Sequence, residues 1–206
     1  MDTAETPDAP ATDPAKPPYH HGDLRAALLL AAEAELAEHG VEGFSLRQVA
    51  KRAGVSHAAP AHHFGDANGL LTALAAHAFG AFLAMQLAHE AEAPDNPREK
   101  LIASGLGYIA FARARPTLFR LMFGSQRTDY GDPTLRSAAD AAFFHLMANV
   151  QHAGGDGAAD VAAVWSMAHG LADLLVSGRM KMVEAMAGDA LRDMLAGIIA
   201  RTLPRP

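Results

Sequence analysis

Residues 45–63 read SLRQVAKRAGVSHAAPAHH, and this stretch decides how the N-terminal part of the chain folds. An apolar-periodic helix is predicted up to Gly54, where glycine accepts the positive φ of a tight turn without a steric penalty. Ser56 is then predicted to cap a short second helix over 57–63. Pro60 falls at the fourth position of that helix and forfeits only one intrahelical hydrogen bond. Two helices joined by a short glycine turn indicate a helix-turn-helix.

The first of these two helices has a full set of start signals. Ser45 and Gln48 have the spacing of a capping box, and Phe44 and Val49 that of a hydrophobic staple. Ala50 is small where the two helices are expected to cross closely. The start of the second helix is therefore predicted to project outward, where its side chains can enter the major groove of a DNA duplex.

The distribution of charge supports this reading better than the total charge does. The chain has 17 lysines and arginines against 23 aspartates and glutamates, and its net charge of -6 argues mildly against a nucleic-acid partner. Local charge decides such binding, however. Residues 45–63 contain Arg47, Lys51 and Arg52 and no acid. The alternative is an ordinary helical hairpin whose basic face is merely solvated.

Contacts with DNA are predicted for side chains along the whole motif. The residues assigned to phosphates, together with helix N-termini, are Ser45, Arg47, Lys51 and Ser56. The residues assigned to base edges are Gln48, His57, Ala58 and Ala59. Of these, the alanines can read only thymine methyl groups. Further donors that gain charge near phosphates are His62 and His63.

The sequence predicts an all-α protein of about nine helices, from its composition and from the helix start signals along the chain. Half of the residues are hydrophobic, alanine is abundant and β-branched residues are sparse, a balance that favours helices. After a first helix over 23–38, further helices are expected to begin at Asp66, Asn96, Pro116 and Asp132. The predicted organisation is a disordered tail over 1–18, a helix-turn-helix DNA-binding domain over 19–65 and a helical ligand-binding and dimerisation domain over 66–206.

Several function classes are disfavoured by what the sequence lacks. Without cysteine there is no disulfide and no thiolate zinc site. The pattern shows neither a secretory signal nor an apolar run of the ~18 to 20 residues that span a bilayer. The histidines form no HExxH or similar ligand set, and no nucleophile elbow, phosphate loop or paired-carboxylate motif is found. We expect no enzyme, metal or cofactor, and a cytoplasmic location; the alternatives are a helical enzyme or a protein-interaction adaptor.

The stretch over 19–77, which includes YHHGDLRAALL and EHGVEGFSLRQVAKRAGVSHAAPAHHFGDANGLLTAL, resembles the DNA-binding domain of the tetracycline-repressor (TetR) family. Trp165, His169 and Gly170, together with RPTLFRLMF over 115–123, resemble a branch of that family named for tryptophan, histidine and glycine (WHG). The resemblance implies a transcriptional repressor that binds a near-palindromic operator as a homodimer. It also implies a dimer interface on the last two long helices, and release of DNA when a small-molecule effector binds among the middle helices.

Two positions depart from the family's pattern. Ala61 stands where most members have a tyrosine, and Ala67 where most have a lysine. Both of those residues usually touch phosphates in the family. Their absence predicts a weaker grip on the DNA backbone, or compensation by His62, His63 and residues 19–21.

The candidate ligand pocket lies on the C-terminal helices. Trp165 and His169 are four residues apart and share a helix face. They form either a pocket wall with a polar handle or a packed tryptophan beside a core histidine. The other pocket candidates, each of which can equally be plain core, are Phe111, Met122, Phe123, Phe144 and Met147.

The last predicted helix carries an apolar stripe of Leu191, Leu195 and Ile198. With a second stripe over 161–175, it is predicted to close a four-helix bundle across a two-fold axis. Dimerisation is favoured because one short helix reaches few base pairs. The alternative is packing within a single chain.

Overall fold

The computed structural model describes residues 21–183 and 186–203, with side chains from residue 24 onward. Within these ranges the fold is all-helical, as predicted, with nine α-helices and one short 3-10 helix over Lys181–Val183. The predicted tail over 1–18, and residues 19 and 20, lie outside the described residues. The helices are α1 (His21–His39), α2 (Leu46–Arg52), α3 (Ala59–Phe64), α4 (Ala67–Ala91), α5 (Pro97–Ala114), α6 (Pro116–Gly124), α7 (Pro133–His152), α8 (Ala158–Val176) and α9 (Gly188–Ala200).

Side-chain caps fix the starts of three long helices, where the sequence predicts them. The Asp66 carboxylate accepts the backbone N–H of Gly69 at 2.8 Å. The side chains of Asn96 and Asp132 each accept two backbone N–H groups in the first turns of α5 and α7. A proline begins α5, α6 and α7, and its missing N–H costs no intrahelical bond at that position.

The helix-turn-helix differs from the prediction in its capping. Ser45 has the extended backbone of an N-cap residue, but its side chain accepts no cap hydrogen bond, so the predicted capping box with Gln48 is wrong. The second helix, α3, begins at Ala59, two residues later than predicted, and Ser56 does not cap it. This start places Pro60 at the second helical position, where its absent N–H is not needed.

The central helix α4 packs against helices from both parts of the chain. It contacts α1 and α3 on one side and α5, α6 and α7 on the other. Leu70, Leu71 and Leu74 of α4 are fully buried there. The buried apolar side chains form one continuous cluster from α1 to α9. The helix-turn-helix therefore shares its hydrophobic core with the C-terminal helices.

Glycines allow α5 to approach its neighbours closely. From sequence alone, Gly105 and Gly107 either permit close packing or soften a hinge. A Cβ built on Gly107 would lie 2.7 Å from the Cα of Gln86 in α4, and one on Gly105 would lie 3.0 Å from the end of the Ile199 side chain in α9. Both glycines are buried within a continuous helix. Close packing is therefore their structural role.

Two helices, α4 and α8, are long and apolar enough to cross a membrane by length and composition, although the sequence pattern predicts no such run. The core position of α4 explains its composition, since 56% of its most apolar window is buried inside the protein. The corresponding window of α8 is only 22% buried. Much of the apolar surface of α8 thus faces outward from the single chain.

Candidate functional site

A tight turn at Gly54 holds the helix-turn-helix together. The φ of this glycine is +68°, as the sequence predicts. Across the turn, the N–H of Val55 donates to the carbonyl of Ala50 at 3.0 Å. Val49 and Ala50 are fully buried, and Pro60 of α3 is buried as well. The inner faces of α2 and α3 are thereby fixed against the core, and their outer faces are left for other contacts.

Most of the side chains assigned to DNA are exposed. The exposed ones are Arg47, Gln48, Lys51, Ser56, His57, Ala58 and His62, while Ser45, Ala59 and His63 are half-buried. Within the described residues, neither Arg47 nor Lys51 forms an ion pair. The motif over 45–63 therefore presents two cationic side chains that have no ion-pair partner within the described residues, together with three histidines and no acid.

Arg52, the third cation of the motif, forms ion pairs within the chain. Its Nη2 lies 3.3 Å from Glu35 and 2.5 Å from Glu38, both in α1. Glu35 is 1% exposed, and Nδ1 of His39 lies 3.3 Å from its other carboxylate oxygen. The hydrogen bond from Arg52 holds the pKa of the Glu38 carboxyl below its ordinary value. This cluster ties α2 to α1 and was not predicted; its signal in the sequence is an acid standing among the apolar positions of α1.

An apolar cavity of about 360 Å³ lies among α4, α5, α7 and α8. Its volume and its apolar walls are those of a small-molecule site. Of the seventeen described residues that line it, none is lysine, arginine or histidine, and seven are aromatic. The aromatic residues are Phe79, Phe82, Tyr108, Phe123, Tyr130, Phe143 and Trp165.

The cavity includes only part of the predicted pocket set. Phe123 and Trp165 line it. His169 packs against Phe123, with ring centroids 5.1 Å apart, but is not among the lining residues. The other predicted pocket residues lie elsewhere: Phe111 and Met122 in the hydrophobic core, and Phe144 and Met147 exposed on α7.

Two neutral hydrogen-bonded pairs supply polar groups at the cavity. Ser104 Oγ donates to Gln86 Oε1 at 2.9 Å, and both residues are buried. The Tyr108 hydroxyl lies 2.8 Å from Nδ1 of His169. Burial raises the pKa of Tyr108 and lowers the pKa of His169, so both side chains are uncharged near neutral pH. Gln86 and Ser104 were not predicted; their signal is a polar residue on the apolar face of a helix.

The histidines do not gather into a metal site in the described part of the chain. His145 instead lies 2.7 Å from Glu90 of α4, and Asn149 donates to the same carboxylate oxygen at 2.9 Å. Burial raises the pKa of Glu90, but its hydrogen bonds, that with His145 foremost, outweigh burial and hold the pKa below its ordinary value. The cluster joins α4 to α7.

Two arginines connect α6 and the loop after it to α1, to the segment after α1 and to the start of α4. Arg115, at the start of α6, donates from Nη1 to both carboxylate oxygens of Glu33 in α1, each at 3.1 Å. Arg127, in the loop after α6, donates to the backbone carbonyl of Val41 at 2.5 Å and to the side-chain oxygen of Asn68 at 2.9 Å. These hydrogen bonds join the start of α6 to α1, and the loop after α6 to the start of α4.

The predicted dimer residues are largely buried within the chain. Leu191 and Leu195 are only 5% and 3% exposed, and Ile198 is half-buried. Leu191 and Leu195 therefore pack within the chain, where α9 contacts α5, and not in the outward position predicted for them, while the interface role of Ile198 stays a prediction. Large exposed apolar side chains lie instead on α7 and α8. We call the contiguous ones the α7–α8 face: Phe143, Phe144, Met147 and Trp165.

Two models of one protein family match the sequence. Residues 28–74 match the bacterial regulatory proteins of the tetR family, and residues 101–198 match the tetracyclin repressor-like C-terminal domain. A helix-turn-helix regulator with a helical C-terminal domain is the class that the fold and these matches define. The chain belongs to the TetR family of bacterial regulatory proteins, which confirms the resemblance seen in the sequence.

Individual relatives agree with this assignment. The HTH-type transcriptional regulator BetI from Burkholderia thailandensis is 39% identical over 79 residues, which are 38% of this chain and 40% of BetI. BetI from Burkholderia mallei is 38% identical over the same length. The chain thus matches less than half the length of these curated relatives.

Solved structures share the fold over most of the chain. A protein with unknown function from Rhodococcus sp. RHA1 is 33% identical and has a TM-score of 0.76, covering 92% of this chain and 100% of that one. The fatty acid degradation regulator FadR from Bacillus halodurans has a TM-score of 0.65 at 18% identity, covering 87% and 99% of the two chains. At that identity the second likeness concerns the fold alone.

Proposed function

We propose that this protein is a DNA-binding transcriptional repressor that binds a near-palindromic operator and is released from it by a small-molecule effector. The observation that carries the proposal is the exposed face of α2 and α3, where Arg47 and Lys51 have no ion-pair partner among the described residues. Membership of a family of bacterial regulatory proteins supports it. We place the protein in the cytoplasm, with its operator.

Arg47 and Lys51 are assigned to DNA phosphates and His57 to base edges. Each lost phosphate contact is expected to flatten the slope of log K against log salt by about 0.9. Arg47→Ala and Lys51→Ala should therefore weaken binding to all duplexes alike, whereas His57→Ala should change the preference between operators. Gel shifts across a salt series, with duplexes from the protein's own promoter region, measure both effects.

The control for these variants is Arg201→Ala. Arg201 is an exposed arginine at the end of α9, a helix that packs against α5 and α8. Its loss removes one positive charge away from α2 and α3, so the salt slope should stay unchanged. Equal effects of Arg201→Ala and Arg47→Ala, or no shift of any duplex at low ionic strength, would contradict the proposal.

The assembly that we propose is a homodimer formed through the α7–α8 face. Each of its four side chains is at least 41% exposed in the single chain, and an apolar patch of this kind marks an interaction site. The rings of Phe143 and Trp165 lie 6.1 Å apart, so the patch is continuous between the two helices. Two copies packed face to face would form a four-helix bundle, and reading of two adjacent half-sites requires that their α3 helices lie about 34 Å apart.

A negative charge introduced on this face tests the dimer. Phe144→Glu is expected to give a monomer in size-exclusion chromatography with light scattering, because a carboxylate would lose its water in the interface. Leu87→Glu is the matched control, since Leu87 is an exposed apolar residue on α4, outside the face. If Phe144→Glu stays dimeric while Leu87→Glu dissociates, the interface lies elsewhere.

The cavity is the proposed effector site, and α6 is the proposed link to α1. Phe123 of α6 lines the cavity, and Arg115 at the other end of α6 holds Glu33 of α1. An effector that displaces Phe123 would therefore move the arginine and with it the DNA-binding helices. Arg115→Gln is expected to bind DNA more weakly without effector, because Glu33 loses its cationic partner, and to lose much of the further effector-induced release. Arg113→Gln, at an exposed position in the last turn of α5, should release normally; equal release by both variants would exclude this link.

Assignment to the WHG branch remains a prediction that rests on Trp165, His169 and Gly170 together with residues 115–123. Trp165 lines the cavity, and His169 binds the Tyr108 hydroxyl. Gly170 is half-buried in α8, with open space where a Cβ would lie. The placement of the first two beside the proposed effector site supports a shared role in ligand binding. Loss of effector binding in Trp165→Ala would support that role, and unchanged binding would count against it.

A further inference from the structure

The chemistry of the cavity selects among classes of effector. We propose that the cavity takes an uncharged, flat, largely apolar molecule that carries one hydrogen-bond acceptor for Gln86, and that it excludes anions. This inference rests on the proposed effector role of the cavity. It follows from three features: the absence of cationic lining residues, the orientation of one hydrogen bond, and the aromatic walls.

The charge of the lining disfavours an anion. Among the described lining residues there is no lysine, arginine or histidine. A carboxylate or phosphate buried there would lose its water without gaining a cationic partner, which is strongly unfavourable. The charged residue of the lining is Asp140, which is exposed on α7 and has no ion pair within the described ranges. Its carboxylate would repel an anion at the rim.

The Gln86–Ser104 pair sets the hydrogen-bonding preference. With Ser104 donating to Oε1 of Gln86, this amide keeps two free N–H donors and one free lone pair on its oxygen. The described residues offer no acceptor to these N–H groups, although Gln86 is buried and lines the cavity. Among the described residues, the enclosed side-chain polar atom without a partner belongs to Glu35 and not to Gln86, so the Gln86 nitrogen is a donor open to the cavity. A carbonyl, ether or hydroxyl oxygen on the ligand would satisfy this one.

The aromatic walls favour a flat body over a long flexible chain. Phe82, Tyr108 and Phe123 lie with ring centroids 4.7 to 6.2 Å apart and form one side of the cavity. A volume of about 360 Å³ is near the lower end of the usual range for small-molecule sites. An ammonium group would gain contact with aromatic faces but no buried carboxylate. We therefore expect affinities to fall in the order uncharged, cationic, anionic.

Four naphthalene probes that differ in one substituent test this order. They are 2-acetonaphthone, 2-ethylnaphthalene, 2-naphthylmethylammonium and 2-naphthoate. The protein has a single tryptophan, Trp165, and it lines the cavity, so titration of its fluorescence at fixed protein concentration reports filling. We expect the ketone to bind tightest and the carboxylate at least about tenfold more weakly. Gln86→Leu should weaken the ketone roughly fivefold, the value of one net hydrogen bond, and leave 2-ethylnaphthalene unchanged.

Each outcome bears on the inference separately from the repressor function. Naphthoate binding as tightly as the ketone, the ammonium binding tightest, or no probe altering the fluorescence would overturn it. The wild-type series does not depend on the folding of Gln86→Leu. If the predicted order holds and the ketone fails to release a bound operator duplex, the ligand class stands and the proposed release mechanism fails. If no duplex binds at all, the probe titrations are unaffected.

Discussion

Replacing Gly107 with alanine tests the close packing of α5 on α4. The added Cβ would lie 2.7 Å from the Cα of Gln86 and 2.9 Å from the carbonyl oxygen of Met85, so it would meet backbone rather than a movable side chain. Ordinary contact begins at 3.4 Å, and the two helices would have to separate by about 0.7 Å at this level. Overpacking of this kind costs about 2–3 kcal/mol. Alanine regains up to about 1 kcal/mol of helix propensity, which leaves a net loss of about 1–2 kcal/mol.

Two other glycines serve as internal comparisons for Gly107→Ala. Gly80 is an exposed residue within α4, and a Cβ there meets no heavy atom within 4 Å. Gly80→Ala should therefore stabilise the protein by about 1 kcal/mol. Gly105→Ala meets only the flexible end of Ile199 at 3.0 Å, so its loss should be smaller than that of Gly107→Ala.

Urea denaturation at fixed protein concentration measures these differences, from the shift in midpoint at constant m. In thermal unfolding, each kcal/mol corresponds to about 2–4 °C in Tm for a chain of this size. The expected order of stability is Gly80→Ala, wild type, Gly105→Ala, Gly107→Ala. A Gly107→Ala variant as stable as the wild type would refute the close-packing argument and return Gly107 to the hinge alternative.

Three further predictions concern charge and DNA contact. Arg52→Ala should lower the urea midpoint more than Arg47→Ala, because it removes the arginine from the buried Glu35 carboxylate and leaves His39 as its contact; equal midpoints would contradict this. Burial lowers the pKa of His169 below its ordinary value of 6.5, so the unfolded chain binds the proton more readily. The stability is then full above pH 6.5 and lost as pH falls below it; His169→Asn should flatten this decline in unfolding free energy, and an unchanged slope would count against it. Ala61→Tyr should add a hydrogen bond from a neutral phenol to a phosphate, tightening operator binding in gel shifts by about tenfold while leaving the salt slope unchanged, because no charge is added; unchanged affinity would show that this exposed position does not face DNA.

The helices could be predicted because their ends depend on local chemistry. Asp66 and Asn96 cap the helices that follow them, and the positive φ of Gly54 follows from its place in the turn. The start of α3 was misplaced because two local signals compete there. Ser56 is a good capping residue, but the position of Pro60 in the first turn decides the outcome.

The exposure of the outer face of α2 and α3 could be predicted for the same reason, since a short helix with one buried side exposes the other. The cavity could not, because periodicity shows that a residue faces inward but not whether its neighbours fill the space. Phe111 and Phe123 both face inward, yet Phe111 is packed in the core and Phe123 lines the cavity. The apolar stripe of α9 could not be assigned for the same reason. An apolar face indicates that a helix packs against something, but not whether the partner belongs to the same chain or to a second copy. Leu191 and Leu195 pack against their own chain.

Pairing of acids within the protein explains how an acidic chain presents a basic surface. Three glutamates of α1 lie beside the helix-turn-helix, and each of them contacts an arginine. Arg52 contacts Glu35 and Glu38, and Arg115 contacts Glu33. These acids therefore oppose the approach of DNA less than free carboxylates would, and Arg47 and Lys51 remain available for phosphates. The contact between Arg115 and Glu33 has a second consequence: a movement of α6 that separates them would both release α1 and leave an uncompensated negative charge on the DNA-binding helices. Both effects act in the same direction, toward dissociation from DNA.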